Sequence, residues 1–201
     1  MKRSGTQYKL FDQGAQLPEG LLYRPDFVTP EEEELLLAFI ESVDLHKNRR
    51  PREAEGGFAK RRSKGFGWGW DSHYERFVPG PPLPRFLGRF ARKIAKWLDI
   101  PKDRVVEALI NEYSPGAGVG FHRDNEGFEH IIGISLAGWC TMRFRPFDKR
   151  AKALSLELEP RSAYVMHKNI RWGYMHSVAA TRTLRYSITF RTLPKSVRIP
   201  R

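Results

Sequence analysis

Two histidines and one aspartate are the residues of this 201-residue chain whose types and spacing best suit a metal ion. His122 and Asp124 form a His-x-Asp motif, and side chains two positions apart on an extended strand project to the same face. His176 lies far along the chain and would complete the set through tertiary structure. Two imidazoles and one carboxylate on one face of a metal form the facial triad of non-haem Fe(II) oxygenases, which leaves coordination positions open.

The His-x-Asp motif alone has low specificity, because other histidines compete for the same role. His130 and His167 stand at the ends of apolar stretches, and neither has a carboxylate at the His-x-Asp spacing. An isolated histidine is more often a hydrogen-bonded surface residue than a metal ligand. The histidines outside the candidate triad are His46, His73, His130 and His167.

The segment 185–191 predicts a strand with one polar and one apolar face. Alternation places Arg185 and Arg191 on the same face. Two guanidiniums that face a protein interior are costly without anionic partners. A dicarboxylate ligand would satisfy them, because guanidinium binds carboxylate in a bidentate fork. The polar face comprises Arg185, Ser187, Thr189 and Arg191, and the apolar face comprises Tyr186, Ile188 and Phe190.

The composition predicts a globular protein with a basic surface. Lys and Arg number 35 against 23 Asp and Glu, which gives a net charge of +12, and 40% of the residues are hydrophobic. That apolar content excludes global disorder, and the single cysteine excludes an internal disulfide framework. No secretion signal or membrane-spanning stretch is recognisable, so we expect a soluble, cytoplasmic protein without membrane attachment. The charge favours a polyanionic partner, nucleic acid first.

The order of the predicted elements indicates an α+β protein. Thr29-Pro30 followed by four glutamates predicts a helix start, and the next apolar run predicts a short buried helix to Val43. A second, amphipathic helix is predicted over 83–98. Short strands without helical pattern between them follow, which favours a sandwich or barrel braced by the helices. The strands are predicted over 105–113, 119–122, 130–136, 140–145, 154–158, 162–166 and 184–192.

Two further segments are rich in basic or aromatic residues. Residues 46–62 predict a mobile basic loop, and the rings of Phe66, Trp68, Trp70 and Tyr74 predict a strand with its aromatics on one face. Core packing and a solvated charged surface are the alternatives for these residues. The basic residues of 47–64 and a basic row on the second helix are expected to surround the site and contact phosphates. That row is Arg85, Arg89, Arg92, Lys93 and Lys96.

The stretch 111–124 resembles the Asn-x-Tyr-x-Pro-Gly…His-x-Asp signature of AlkB-type dioxygenases, which depend on Fe(II) and 2-oxoglutarate. Arg185 and Arg191 match the closing Arg-x5-Arg of that family, and His176 falls where its distal ligand is expected. The resemblance covers residues 61–193. Similarity to the branch with the tRNA wobble-uridine hydroxylase lies in Arg61–Ser63, Gly65–Trp68, Met142–Phe144 and Arg161–Met166.

The resemblance implies a double-stranded β-helix, or jelly roll, with N-terminal elements folded over its mouth. The whole chain, 1–201, would form one dioxygenase domain. Within it, 1–60 would be an N-terminal extension with the basic loop, 61–80 a nucleotide-recognition lid, and 105–193 the catalytic core.

The same resemblance implies Fe(II) as cofactor and 2-oxoglutarate and O2 as cosubstrates. Arg185 would bind the far carboxylate of 2-oxoglutarate, helped by Asn111 and Tyr113, with Arg191 near the chelating end. Ser187 stands where family members often have asparagine. The implied iron ligands, which are also the catalytic residues, are His122, Asp124 and His176. The implied substrate contacts are Glu126, Trp68, Trp70, Arg61 and Arg62.

The implied reaction is oxidative demethylation of N-alkylated bases in RNA or single-stranded DNA, with nucleic acid as the partner. Hydroxylation of an N-methyl group gives a hydroxymethyl product that releases formaldehyde. Three alternatives stay open: hydroxylation of a modified tRNA base, the same chemistry on a protein or small molecule, and a binding module without catalysis. No obligate protein partner is predicted.

Overall fold

The computed structural model describes residues 17–49, 58–148, 150 and 153–199. Its α-helices are α1 (Pro30–Glu41), α2 (Arg85–Leu98) and α3 (Lys168–Trp172). The predicted start of α1 is confirmed, because Thr29 and Glu32 form a reciprocal capping box there. Each side chain accepts a hydrogen bond from the other residue's backbone N–H.

The strands form two antiparallel sheets. The large sheet has the order β1-β10-β7-β12-β5-β3-β2, with β4 paired to β3 outside that path. The small sheet has the order β6-β11-β8-β9. The strand bounds are β1 (Leu21–Arg24), β2 (His46–Arg49), β3 (Phe58–Asp71), β4 (Arg76–Pro79), β5 (Val105–Tyr113), β6 (Val119–His122), β7 (Ile131–Leu136), β8 (Cys140–Pro146), β9 (Leu154–Leu158), β10 (Ala163–Met166), β11 (Tyr174–Val178) and β12 (Arg185–Thr192).

Two hydrophobic clusters hold these layers together. One lies between the large sheet and α1 and α2, where Ile94 of α2 and Ile110 of β5 are fully buried. The other lies between the two sheets, where Met142 and Phe144 of β8 are buried. This sandwich of antiparallel sheets, braced by helices on one side, confirms the predicted α+β jelly roll.

The helix α2 lies on the face of the large sheet that is turned away from the inter-sheet space. Its buried side chains pack with Ala108 and Ile110 of β5, whereas Leu109 and Asn111 of the same strand line the pocket between the sheets. The prediction that its basic row surrounds the site is therefore wrong. Arg85, Arg89, Arg92 and Lys96 are exposed on that far side, and Lys93 is paired with Glu32.

The predicted loop over 46–62 is wrong at both of its ends. Residues 46–49 form β2, which pairs with β3, and β3 itself begins at Phe58. Residues 50–57 lie outside the described part of the chain. The basic side chains of this region therefore belong partly to a β-hairpin.

The prediction that the aromatics of β3 share one face is wrong because of Gly67. Phe66 packs in the cluster beside the helices, whereas Trp68 and Trp70 pack in the cluster between the sheets. Gly67 has φ +86°, and a Cβ there would lie 2.0 Å from the carbonyl oxygen of Val106. Only glycine accommodates this conformation and close approach, and the irregularity moves the following side chains to the other face.

Among the described residues, no helix is both long and apolar enough to cross a membrane.

Candidate metal centre

The structure brings His122, Asp124 and His176 together at one end of the pocket between the sheets. His122 and His176 are direct cross-strand partners on β6 and β11, and their ring centroids are 4.3 Å apart. Asp124 follows β6, and its Oδ2 lies 3.2 Å from Nε2 of His176. The three candidate ligand atoms all lie within 4.8 Å of one another. Two imidazoles and a carboxylate at this spacing fit a facial triad.

Backbone hydrogen bonding sets the tautomer of His122. Its Nδ1 lies 2.9 Å from the carbonyl oxygen of Gly120. Because a carbonyl oxygen only accepts, Nδ1 carries the proton and Nε2 keeps the lone pair that a metal needs. This hydrogen bond to Gly120 also fixes the orientation of the His122 ring.

The electrostatics of the triad favour its metal-binding protonation states. Burial, and next the neighbouring His176, lower the pKa of His122, so its imidazole is neutral at pH 7. Burial alone would raise the pKa of Asp124, but Arg191 and His176 hold it well below its usual value. The triad therefore offers a neutral imidazole and a carboxylate without prior proton loss at neutral pH.

Arg191 links Asp124 to a second carboxylate, Glu107. Its Nη2 donates to Oδ1 of Asp124 at 2.6 Å, and its Nη1 donates to Oε2 of Glu107 at 2.6 Å. Burial opposes the charge on Arg191, but the two carboxylates raise its pKa above the ordinary value. Sequence reasoning placed Arg191 near the site and missed Glu107. The sequence could have indicated Glu107, because alternation along β5 puts it on the same face as Asn111.

Arg185 is buried without a carboxylate partner among the described residues. It is 2% exposed, its Nε donates to Oγ of Ser135 at 3.1 Å, and its Cζ lies 5.0 Å from the ring centroid of Tyr113. Its Nη1 is buried and has no hydrogen-bond partner in the described part of the chain, and the same holds for Oδ1 of Asn111. A buried, unpaired guanidinium that opens on the same pocket as the triad fits a dicarboxylate.

Arg171 fixes the loop that carries Asp124, a role that the sequence did not predict. It is 3% exposed, and its Nη2 donates to the carbonyl oxygens of Asn125 at 2.7 Å and Phe128 at 3.1 Å. It also reaches the carbonyl oxygen of Asp124 at 3.4 Å. The position of Asp124 therefore depends on side chains from β12 and α3 as well as on its own loop.

The residues predicted to contact substrate occupy different environments. Arg61 lines the pocket, whereas Arg62 donates two hydrogen bonds to Glu112, at 2.8 and 2.6 Å. Trp68 and Trp70 are partly buried against the inter-sheet cluster. Glu126 is exposed in the loop after Asp124. Arg61 and Glu126 are accessible, while Arg62 is occupied by a carboxylate.

Trp70 packs against the loop that follows the His-x-Asp motif. Its ring centroid lies 4.9 Å from that of Phe77, and a Cβ on Gly127 would lie 2.2 Å from the Trp70 ring. The hairpin of β3 and β4 is thereby attached to the loop that carries Asp124 through an aromatic contact. At the hairpin tip, Tyr74 is 64% exposed, and the Arg76 guanidinium lies 5.0 Å from its ring centroid.

An antiparallel sandwich that encloses two histidines, an aspartate and a buried guanidinium is the architecture of a facial-triad oxygenase. The family model described as "2OG-Fe(II) oxygenase superfamily" matches residues 20–191. The chain belongs to this superfamily, and its relatives place it with the AlkB-type dioxygenases. The cofactor of this family is Fe(II), and its cosubstrates are 2-oxoglutarate and O2.

Individual relatives agree with this assignment. A Macaca fascicularis protein named tRNA (carboxymethyluridine(34)-5-O)-methyltransferase ALKBH8 is 31% identical over 173 residues, which cover 83% of this chain and 25% of that protein. A Danio rerio protein named probable RNA/DNA demethylase ALKBH6 is 22% identical over 225 residues, 91% of this chain and 89% of that protein. The chain thus spans only about a quarter of the Macaca fascicularis and Mus musculus ALKBH8 proteins that it matches.

A solved structure, "The structure of OsALKBH1", shares the fold. Its TM-score is 0.68 at 14% identity, and the match covers 88% of this chain and 98% of that chain.

Proposed function

We propose that this chain is an Fe(II)- and 2-oxoglutarate-dependent dioxygenase that oxidatively demethylates N-alkylated bases in RNA or single-stranded DNA. The observation that carries the proposal is the triad of His122, Asp124 and His176 in one pocket with the buried, unpaired Arg185. Support for a nucleic-acid substrate comes from the name of the ALKBH6 relative and from the net charge of +12. A single domain over 1–201 and a cytoplasmic location stay predictions.

In this proposal, the catalytic residues His122, Asp124 and His176 hold the iron. Bound together, iron, 2-oxoglutarate and O2 supply the oxidising power that hydroxylates a substrate C–H bond. Arg185 binds the far carboxylate of 2-oxoglutarate through its unpaired Nη1, and Asn111 and Tyr113 complete this part of the wall.

The remaining residues orient the ligands and the substrate. Arg191 holds the carboxylate of Asp124 in its ligand orientation and is proposed to lie near the chelating end of 2-oxoglutarate. Arg61 lines the pocket and Glu126 lies in the adjacent loop, so both are proposed substrate contacts. Trp68 and Trp70 are proposed to support the nucleotide-recognition lid, together with Arg62, whose ion pair with Glu112 ties that strand to β5. The substrate is positioned by these groups rather than activated by a general base.

The test is formaldehyde release from oligonucleotides that carry 1-methyladenine or 3-methylcytosine, with Fe(II) and 2-oxoglutarate present. We expect turnover by the wild-type chain and a loss of at least about 100-fold in His122→Ala and Asp124→Ala, because each removes a metal ligand. His46→Ala is the matched control, since this histidine is exposed and lies outside the pocket. Bound metal with 2-oxoglutarate consumed, but no methylated oligonucleotide changed, would contradict the proposed substrate.

Hydroxylation of a modified tRNA base is the second candidate function, and the ALKBH8 relative favours it. Mass spectrometry of nucleosides from total tRNA, before and after treatment with the iron-loaded chain, separates the two. Loss of a methylated base supports demethylation. A gain of one oxygen on a wobble uridine, without formaldehyde, supports the second function.

A further inference from the structure

The outer face of the small sheet carries a cluster of phenylalanines and arginines that the proposed chemistry does not use. His122 on β6 and His176 on β11 point into the pocket, and alternation sends their neighbours outward. On β8, Met142 and Phe144 are buried inside, so the side chains between and after them are outside. We name the cluster the Phe–Arg surface; its residues are Phe121, Arg123, Arg143, Arg145 and Phe147.

Two aromatic–guanidinium pairs lie on this face. Phe121 is 40% exposed and Phe147 is 51% exposed, which is unusual for phenylalanine. Arg145 Cζ lies 4.3 Å from the ring centroid of Phe121, and Arg123 Cζ lies 5.4 Å from that of Phe147. β6 and β8 both pair with β11, so the pair of Phe121 and Arg145 reaches over the strand that carries His176. The pair of Arg123 and Phe147 lies just beyond the ends of β6 and β8. Both rings remain partly open to solvent.

The arginines of this surface have no carboxylate in the described part of the chain to neutralise them. Arg123, Arg143 and Arg145 form no ion pair with a carboxylate of the described residues. A guanidinium stacked on a ring keeps its N–H edge available for an oxyanion. Among the described residues, the arginines with a carboxylate partner are Arg62, Arg150, Arg161 and Arg191.

A third exposed ring continues the surface. The backbone N–H of Phe147 donates to the carbonyl oxygen of Gly173 at 2.9 Å, which places Phe147 beside the end of α3. There, Trp172 is 42% exposed, and the Arg171 guanidinium lies 4.2 Å from its ring centroid. Trp172 therefore adds a third exposed ring to the surface, whereas the Arg171 guanidinium beneath it is buried and bonded to the loop that carries Asp124.

We propose that the Phe–Arg surface binds a single-stranded stretch of the nucleic-acid substrate, outside the catalytic pocket. Bases stack on the exposed rings, and phosphates accept hydrogen bonds from the arginines, the combination that sequence-independent single-strand binding uses. The excess of unpaired positive charge favours this polyanion over an apolar protein partner. The inference rests on the proposed function in naming nucleic acid, but its test needs no turnover.

The first measurement is binding of an unmodified single-stranded RNA of about 20 nucleotides, longer than a binding groove of about 4–16 nucleotides. Fluorescence anisotropy with the iron-loaded full chain, at several salt concentrations, gives the affinity and its salt dependence. Arg143→Gln/Arg145→Gln is expected to weaken binding roughly 10-fold or more and to reduce the salt slope by about 1.4. The matched control is Arg85→Gln/Arg92→Gln, which removes the same charge from the far side of the large sheet.

The second measurement separates stacking from charge. Phe147→Leu keeps apolar bulk but loses the ring, so we expect affinity to fall by roughly 5- to 150-fold. Phe147→Tyr keeps the ring and should restore binding. Because Phe147 is half exposed, neither change is expected to unfold the chain, and urea unfolding of each variant checks this.

Several results would overturn the inference. Equal loss in the two arginine double variants would mean that charge acts without regard to position. Unchanged affinity in Phe147→Leu, or tight binding of poly-glutamate with the same dependence on Phe147, would exclude base stacking. Failure of the proposed function is a separate outcome: RNA binding that depends on this surface, with no methylated base consumed, refutes the activity and leaves the surface supported. Turnover of a modified trinucleotide without binding of the longer RNA refutes the surface alone.

Discussion

The two arginines of β12 should have opposite effects on stability, although both are buried in the same pocket. Arg185 is 2% exposed, with an unpartnered Nη1 and no carboxylate partner among the described residues. An unsatisfied buried polar group costs about 1–3 kcal/mol, and more when it is charged. Arg185→Met keeps an unbranched side chain and removes that cost. We expect the free energy of unfolding of the cofactor-free chain to rise by about 1–3 kcal/mol, or about 2–4 °C in Tm for each kcal/mol.

Arg191→Met is the opposing case. In the wild-type chain, the Arg191 guanidinium donates hydrogen bonds to both Asp124 and Glu107 at 2.6 Å, and all three side chains are nearly buried. Removing one partner of a buried ion pair leaves uncompensated charge and typically costs about 3–5 kcal/mol. We therefore expect Arg191→Met to lower the free energy of unfolding by an amount in that range. Arg182→Met, just before β12 and exposed, is the matched control and should lie within about 0.5 kcal/mol of wild type.

Urea unfolding with and without 2-oxoglutarate measures these effects. A ligand at 100 times its Kd adds about 2.7 kcal/mol to the stability of a protein that binds it only when folded. Wild type should gain this amount in the metal-loaded state, and Arg185→Met should gain none. The m-values should stay equal, because the surface exposed on unfolding is the same. An Arg185→Met variant that is less stable than wild type without ligand, or that 2-oxoglutarate still stabilises fully, would refute the assignment of Arg185.

Two further predictions concern stability. Gly67→Ala should lower the free energy of unfolding by at least about 2 kcal/mol, because residue 67 has φ +86° and the new Cβ would meet the Val106 carbonyl. Gly120→Ala is the control in the same urea titration, since a Cβ at Gly120 would have no atom within 4 Å. Burial lowers the pKa values of His130 and His167, so stability should fall as pH drops below about 6.5, where the unfolded chain takes up protons first. His130→Gln should flatten that fall between pH 7.5 and 5, and an unchanged slope would refute the assignment.

The regular strands were predictable because their side chains alternate. β5, β6 and β9 have the predicted bounds, and β7, β8, β10 and β12 differ from theirs by one residue at one end. The two faces of β12 separate as predicted, with Arg185 in the pocket and Ile188 among the helices. Strand β11 was missed because Tyr174–Val178 is short and its apolar and polar residues do not alternate along the sequence.

The parts that could not be predicted depend on contacts between distant segments. The pairing of Arg62 with Glu112 follows from the register of β3 on β5, where the two residues are direct partners. The contact between Trp70 and Gly127 requires the irregularity at Gly67, whose left-handed conformation the sequence does not specify. The sequence therefore located the residues that we propose to bind iron and 2-oxoglutarate, but not the residues that hold them in position, such as Glu107.

Because of its position within the large sheet, β12 should open more rarely than the hairpin of β3 and β4. β12 is paired on both sides, by β5 and by β7, whereas β4 pairs with β3 alone among the described strands. Amides of such a central strand exchange with solvent only through the largest openings, while a peripheral hairpin opens at a lower free energy. Arg185 and Arg191 would thus keep their places during openings that release the β3–β4 hairpin. Entry of a bulky substrate past that hairpin need not disturb the residues assigned to its oxidation.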